Sequence, residues 1–378
     1  MEHFKALGII HSIDYNKAID IQWKSIYNKM DKRIQIIKNR YFTLYQKAAL
    51  VNSLIASKIW YTAHTYPLPM SYVKLINNVI FRFIWNSNAN PIKRDVLCSS
   101  KLNGGIGLLN IALKAKAIFT ATTLKTLLNS EEGSLVRFYL MERINRIVNI
   151  GISPNEYSIV GTPYFEIFRE NIKQIHKIQN FPNVNAKAIY QTLLPKVKPR
   201  TMDLYPLYNW DRIWKYLNIR FINIKDRCTV YKFLYEILPT NKRLKEINLR
   251  QDSKCNYCDA EDSNLHKFLY CHKVQSSVQW LTKFIENVCY IKVNSLFKFL
   301  FLEFPYVNVR MVNTLTVIIC CYISCIWLNR DKLEFIEKKL KAKIIRERNF
   351  LVYLHKEKSK KLFCEKFCDI KVEDMNLI

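Results

Sequence analysis

The chain has 378 residues, 49% of them hydrophobic and 24% charged, which supplies apolar material for two or three cores and argues against a disordered polymer. Glycine is scarce, with seven residues and none after Gly161, so a fold built on tight turns is disfavoured and a mainly α architecture is expected. The formal net charge is +28; a surplus of that size repels itself unless a polyanion offsets it, which points to nucleic acid or an anionic membrane surface as partner.

In chain order, Phe4–Ile10 is a short apolar run expected to form a strand whose pairing partner would come from a larger fold. Residues 23–38 carry Trp23, Ile26, Tyr27, Met30, Ile34 and Ile37 at steps of three and four, the pattern of an amphipathic helix. Lys24, Lys32, Arg33 and Lys38 fall on its other side. Thr43 and Gln46 have the spacing of a capping box, which starts a second helix through Leu44, Ala48, Val51, Ile55 and Ile59. Pro67 and Pro69 end it, because proline cannot donate to a continuing helix. A third helix is predicted over 71–85, through Val73, Ile76, Ile80, Phe83 and Ile84. The polar loop Asn86 to Pro91 leads to Lys93 and Arg94, Gly104-Gly105-Ile106-Gly107 marks a tight turn, and another helix runs from about Ile111 to Leu128.

Prolines at 154, 163, 182, 195 and 199 make residues 129–205 read as a linker with short helices. Trp210, Ile213, Trp214 and Leu217 restart a helical face, and Asp226 to Leu238 is a further helix closed by Pro239. From Trp280 to about Lys366 the chain reads as helical with a charged last third. Within it, Val312 to Leu328 is free of charge and flanked by Arg310 and Arg330. It falls short of the roughly 20 residues a spanning helix needs and contains Asn313, Thr314, Thr316 and Ser324, so a buried core helix is expected.

The charge is unevenly placed. Residues 21–130 hold sixteen lysines and arginines against two acids, Asp31 and Asp95, and so carry half of the whole surplus. Eleven cysteines, an odd number, are scattered through a chain that opens Met1-Glu2-His3-Phe4 without the basic-then-apolar order of a signal peptide. Reduced thiols in a nuclear or cytoplasmic setting are expected, with some on a metal.

Cys255-x2-Cys258-x7-His266-x4-Cys271 is the constellation with the most specific chemistry. Two cysteines so close can hold one ion from a single turn, and a histidine and a third cysteine complete four ligands. Three soft sulfurs and one nitrogen suit tetrahedral zinc. With every position filled by protein, the site would be structural and closed to hydrolytic water. His272 could stand in for Cys271, but the spacing from His266 to Cys271 is the more natural knuckle. Lys254 and Lys267 flank the cluster and would suit phosphate contact. Cys320, Cys321 and Cys325 lie in the apolar helix and read as core; Cys364 and Cys368, four apart, lack a second pair nearby.

Polymerase chemistry needs paired carboxylates to hold two magnesium ions. No Asp-Asp pair occurs, and acids are sparsest in the basic half. The Gly104–Gly107 run lacks both the GxGxxG spacing and a following Gly-Lys-Ser or Gly-Lys-Thr, so it is no phosphate-binding loop. No serine or cysteine has a convincing histidine context, and catalysis by this chain alone is not expected.

The order of these pieces resembles the C-terminal half of reverse transcriptases from retrotransposons lacking long terminal repeats, the long interspersed type. Phe4-Lys5-Ala6-Leu7-Gly8-Ile9 is similar to the strand with a Leu-Gly step that closes the polymerase palm, though Ala6 stands where that family usually has tyrosine. Leu44 to Tyr61 resembles its thumb helix. Phe81-Arg82-Phe83-Ile84-Trp85, Lys93-Arg94 and Gly104 to Leu108 repeat its next landmarks in order. Tyr231 to Leu234 and Leu238 to Leu244 look like the lead-in to its zinc-binding segment. Cys255, Cys258, His266 and Cys271, closed by Trp280, match that segment, and Ile326-Trp327-Leu328-Asn329-Arg330 resembles a downstream element.

The resemblance covers most of residues 4–130 and 206–330 and implies a palm-edge remnant over 1–20, a basic helical thumb and connection region over 21–130 and a zinc-binding domain over 206–290; the linker over 131–205 and the helical tail over 291–378 are read from the residues alone. The resemblance also implies binding of RNA or DNA without the palm carboxylates, which would lie upstream, and action in trans with a complete reverse transcriptase. In the family the thumb helices track the template–primer duplex. Lys32, Arg33, Lys38, Arg40, Lys47, Lys58, Arg82, Lys93 and Arg94 are accordingly the expected backbone contacts. Two other functions compete: a zinc-stabilised adaptor that binds protein, and a basic protein attached to membrane through Val312 to Leu328.

Overall fold

In the computed structural model, residues 3–129, 185–356 and 367–368 are described. They are mainly helical, with one two-stranded sheet among the described residues. The chain divides into two units: residues 1–99 with 105–197, and residues 100–104 with 198–378.

In the first unit the apolar run at the start folds back on itself. Strands β1 (His3–Ala6) and β2 (Ile9–Ser12) pair antiparallel, Ala6 opposite Ile9. Leu7 (φ 49°) and Gly8 (φ 83°) are both left-handed, as a two-residue hairpin turn requires. The single strand expected over Phe4–Ile10 is thus corrected to a hairpin that supplies its own partner. Gln22 holds it: its amide oxygen accepts from Ile10 N (3.2 Å), and its amide nitrogen donates to Gly8 O (3.3 Å) and Thr62 Oγ1 (3.0 Å).

Helix α1 (Tyr15–Ile37) starts well before the predicted 23, because the Asp14 side chain caps it by accepting from Lys17 N at 3.1 Å. It buries Ala18, Ile19, Trp23, Ile26, Met30 and Ile34. The capping box of Thr43 and Gln46 is present and opens α2 (Leu44–Leu50). That helix runs through a π-turn at Val51–Ile55 into α3 (Ser57–Ala63). Val51, Ile55, Ile59 and Ala63 are all buried at steps of four. In a straight α-helix each such step drifts by about 40°, and the widened turn absorbs the drift so that the stripe stays on the core. Helix α4 (Met70–Trp85) ends at Asn86, left-handed at φ 52°. Helices α5 (Arg94–Cys98), α6 (Ile111–Asn129) and α7 (Ala186–Leu193) complete the unit. Helix α7 packs on α6, and Tyr190 Oη accepts from Asn110 N at 2.9 Å. Helix α7 is a short helix within the 131–205 stretch and packs into the first unit; most of the rest of that stretch lies outside the described residues. Asn52, on the π-turn, bridges the returning glycine loop, donating to Gly107 O (2.8 Å) and accepting from Leu109 N (2.9 Å).

In the second unit Gly104 (φ 82°) has no room for a side chain: a Cβ would lie 2.8 Å from Tyr235 Oη and 3.0 Å from Trp214 Cε2. Its carbonyl accepts from both Tyr231 Oη (2.9 Å) and Tyr235 Oη (2.7 Å). Helices α8 (Arg200–Leu204), α9 (Trp210–Leu217), α10 (Ile224–Leu234) and α11 (Asn241–Glu246) precede the cysteine cluster. Helices α12 (Gln275–Cys289), α13 (Leu296–Leu300), α14 (Val309–Leu328) and α15 (Ile336–Lys356) follow it. Helix α14 is long and apolar enough to cross a bilayer, yet 78% of its most apolar window is buried inside the unit, as a core helix requires. Cys320, Cys321 and Cys325 are buried along it. Asp226 on α10 and Lys343 on α15 form a buried ion pair at 2.8 Å. Helices α13, α14 and α15 are therefore not a separate tail: α14 is buried within the unit that also carries the cysteine cluster.

Candidate functional site

The chain between α11 and α12 brings the four predicted ligands together. The potential ligand atoms of Cys255, Cys258, His266 and Cys271 all lie within 4.8 Å of one another. Cys255 Sγ and Cys271 Sγ are 3.9 Å apart, and Cys258 Sγ is 3.2 Å from His266 Nε2. Sulfurs about 2.3 Å from a tetrahedral ion would stand about 3.8 Å from each other, so the spacing fits a single metal.

Local structure explains how each pair forms. The first is a tight reverse turn in which Cys255 N donates to Ala260 O (2.9 Å) and Lys254 bridges antiparallel to Glu261. Tyr257 N donates to Cys255 Sγ at 3.5 Å. The second pair occupies the two ends of one π-turn, His266–Tyr270: Cys271 N donates to His266 O at 2.7 Å. The four intervening residues are therefore the length of that turn. His272 is exposed and outside the group, which decides for Cys271.

The site is rooted in the core. Phe268, inside the π-turn, is fully buried, meets Phe233 of α10 edge-on at 5.2 Å, and its carbonyl accepts from Tyr322 Oη of α14 at 2.6 Å. Two further residues, whose roles the sequence did not reveal, fix the loop. Asn241 donates through Nδ2 to Lys254 O (2.6 Å) and Asn256 Oδ1 (3.1 Å) and accepts from Arg250 (2.8 Å). Its backbone N–H reaches Oδ2 of the fully buried Asp262 at 2.9 Å. The signal available was Asp262 itself, an acid set between cysteine and histidine ligands. Lys267 is buried and paired with Asp262 at 3.0 Å, which corrects its expected role in phosphate contact; Lys254 remains exposed.

Burial holds the His266 imidazole below its ordinary pKa, so it is neutral and its nitrogen lone pair is free to ligate. Burial, and then the adjacent sulfurs, push the Cys271 thiol up to about 12. A cation among the sulfurs would offset that cost for Cys271. The cluster can hold a metal ion, and its electrostatics improve when it does.

The predicted nucleic-acid contacts all lie in the first unit. Lys32, Arg33, Lys38, Arg40, Lys58, Arg82 and Lys93 are exposed, and Arg94 is half-buried. Arg33, on α1, donates to Leu54 O in the π-turn at 2.8 Å. Lys47 is a correction: it is buried, and its ammonium donates to Phe83 O (2.8 Å), Ile84 O (3.2 Å) and Asn86 Oδ1 (2.7 Å). Its charge closes the end of α4 and is withdrawn from solvent. Cys364 lies outside the described residues.

No protein-family model matches the chain.

Proposed function

We propose that the chain binds RNA or DNA through the basic surface of its first unit, while a structural zinc ion secures the second. The charge distribution carries this reading: sixteen cations against two acids over residues 21–130, with seven of the nine candidate contacts exposed. Such a surface binds phosphate backbones with little regard to sequence and with a steep dependence on salt. The ordered motifs from the Leu7-Gly8 step to Trp327 support kinship with the C-terminal part of reverse transcriptases of non-LTR retrotransposons. Polymerase catalysis is not assigned to these residues.

Zinc is the metal proposed, because three thiolates and an imidazole at tetrahedral spacing suit it better than harder cations. Cys255, Cys258, His266 and Cys271 would hold it, and it would supply folding energy to the loop. The test has two parts. Mobility-shift titrations against an RNA and a DNA of mixed sequence should weaken steeply between low and moderate salt; absence of binding, or binding indifferent to salt, would refute the first claim. Elemental analysis should find one zinc per chain, lost in Cys255→Ser/Cys258→Ser; metal content unchanged in that variant would refute the second.

A further inference from the structure

A pocket of about 210 Å³ opens in the first unit between the C-terminal half of α4 and the loop leading into α5, lined by Asn78, Phe81, Arg82, Asn88, Asn90 and Arg94. Its chemistry is one-sided. Two guanidiniums and three carboxamides line it, and no carboxylate does; Asp95, beside Arg94, is exposed and not part of the lining.

Both arginines are held in place by neutral groups. Arg82 Nε donates to Asn88 Oδ1 at 2.9 Å, and Arg94 Nη2 donates to Asn78 Oδ1 at 3.3 Å. The Arg94 guanidinium also stacks on the buried Phe81 ring, 4.8 Å from its centroid. A carboxamide oxygen orients a guanidinium without neutralising it, so both positive charges and most of their N–H donors remain for a ligand. Fixed, planar, forked donors match the oxygens of a phosphate group. A guanidinium already ordered by stacking and hydrogen bonding gives up less side-chain entropy on binding than a free surface lysine.

We propose that this pocket is a phosphate seat, with Arg82 and Arg94 gripping the group and the asparagine amides completing the cradle. This rests on the nucleic-acid reading above in taking its phosphate from a bound strand; inorganic phosphate or a free nucleotide would offer the same chemistry.

The test uses the full chain, a fluorescein-labelled single-stranded DNA 20-mer followed by anisotropy over a salt series, and inorganic phosphate followed by calorimetry. Arg82→Ala/Arg94→Ala should weaken oligonucleotide binding about ten- to hundred-fold and flatten the salt slope by roughly one phosphate contact. Lys187→Ala/Lys196→Ala, which removes equal charge from exposed positions of the same unit outside the candidate contacts, should cost less. Arg82→Ala alone, at an exposed position, keeps the test should loss of the Phe81 stack unfold the double variant. Equal losses in the pocket variants and the lysine control would overturn the seat while leaving nucleic-acid binding intact. Should the wild type bind no oligonucleotide, the broader reading fails. The seat then stands only if the wild type binds inorganic phosphate and the arginine variants do not, and falls if neither binds.

Discussion

The ammonium of Lys47 lies on the last carbonyls of α4, where the helix dipole favours a cation and orphan acceptors need donors. From sequence it is one more lysine in a basic stretch; only the approach of α4 to α2 turns it inward. Lys47→Met should therefore lower stability by about 1–3 kcal/mol in denaturant unfolding while leaving the salt slope of oligonucleotide binding unchanged. Gly104 is the opposite case, since the tight turn was legible but its confinement was not. The atoms that exclude a side chain come from Trp214 and Tyr235, far along the chain. Gly104→Ala adds left-handed strain to a steric clash and should cost about 2–4 kcal/mol by the same measurement. The four candidate ligands were readable because their spacing is local. Asn241 and Asp262 were not, because their function depends on which backbone groups the loop leaves facing them.

At the level of elements, the long helices of the first unit were legible from apolar periodicity, and the Thr43–Gln46 box marked one start correctly. The hairpin was misread as a strand because a seven-residue apolar run carries no record of reversal until Leu7 and Gly8 are seen to share left-handed backbone. The π-turn in the helix from Leu44 to Ala63 had a trace in the sequence, the uninterrupted steps of four from Val51 to Ala63. A π-turn houses one residue more than the α geometry needs. Deleting Ser53 should convert it to an α-turn and return Ile59 and Ala63 to register, for a cost under about 2 kcal/mol. Deleting Asn77 from the regular helix α4 would rotate Ile80, Phe83 and Ile84 by roughly 100° away from the core and should cost more than about 4 kcal/mol. Thermal unfolding of the two deletions distinguishes them, and equal losses would contradict the assignment.

Across the whole molecule, the basic stretch and the candidate metal ligands fall in different units: residues 21–99 lie in the first, the cysteine cluster in the second. The expected boundary at 290 does not separate two units, because α14 packs on α9 and α10, which precede the ligands, as well as on α12, α13 and α15, which follow them. Metal uptake should release protons, since Cys271 is held up to about 12 without an ion and must ionise to ligate. Binding consequently strengthens as pH rises and fails in mildly acidic buffer, which a pH series of zinc titrations with proton counting would check; zinc affinity indifferent to pH would exclude thiolate ligation.

The hydroxyl of Tyr322 hangs from the carbonyl of Phe268, inside the very turn whose ends carry two of the four candidate ligands. Chelation would thus reach further than the loop, loosening the lid over the greasiest stretch of the polypeptide. If the cluster holds a metal, stripped protein should bind hydrophobic dyes, sediment as clumps or slip into detergent micelles as the apolar length of α14 comes open.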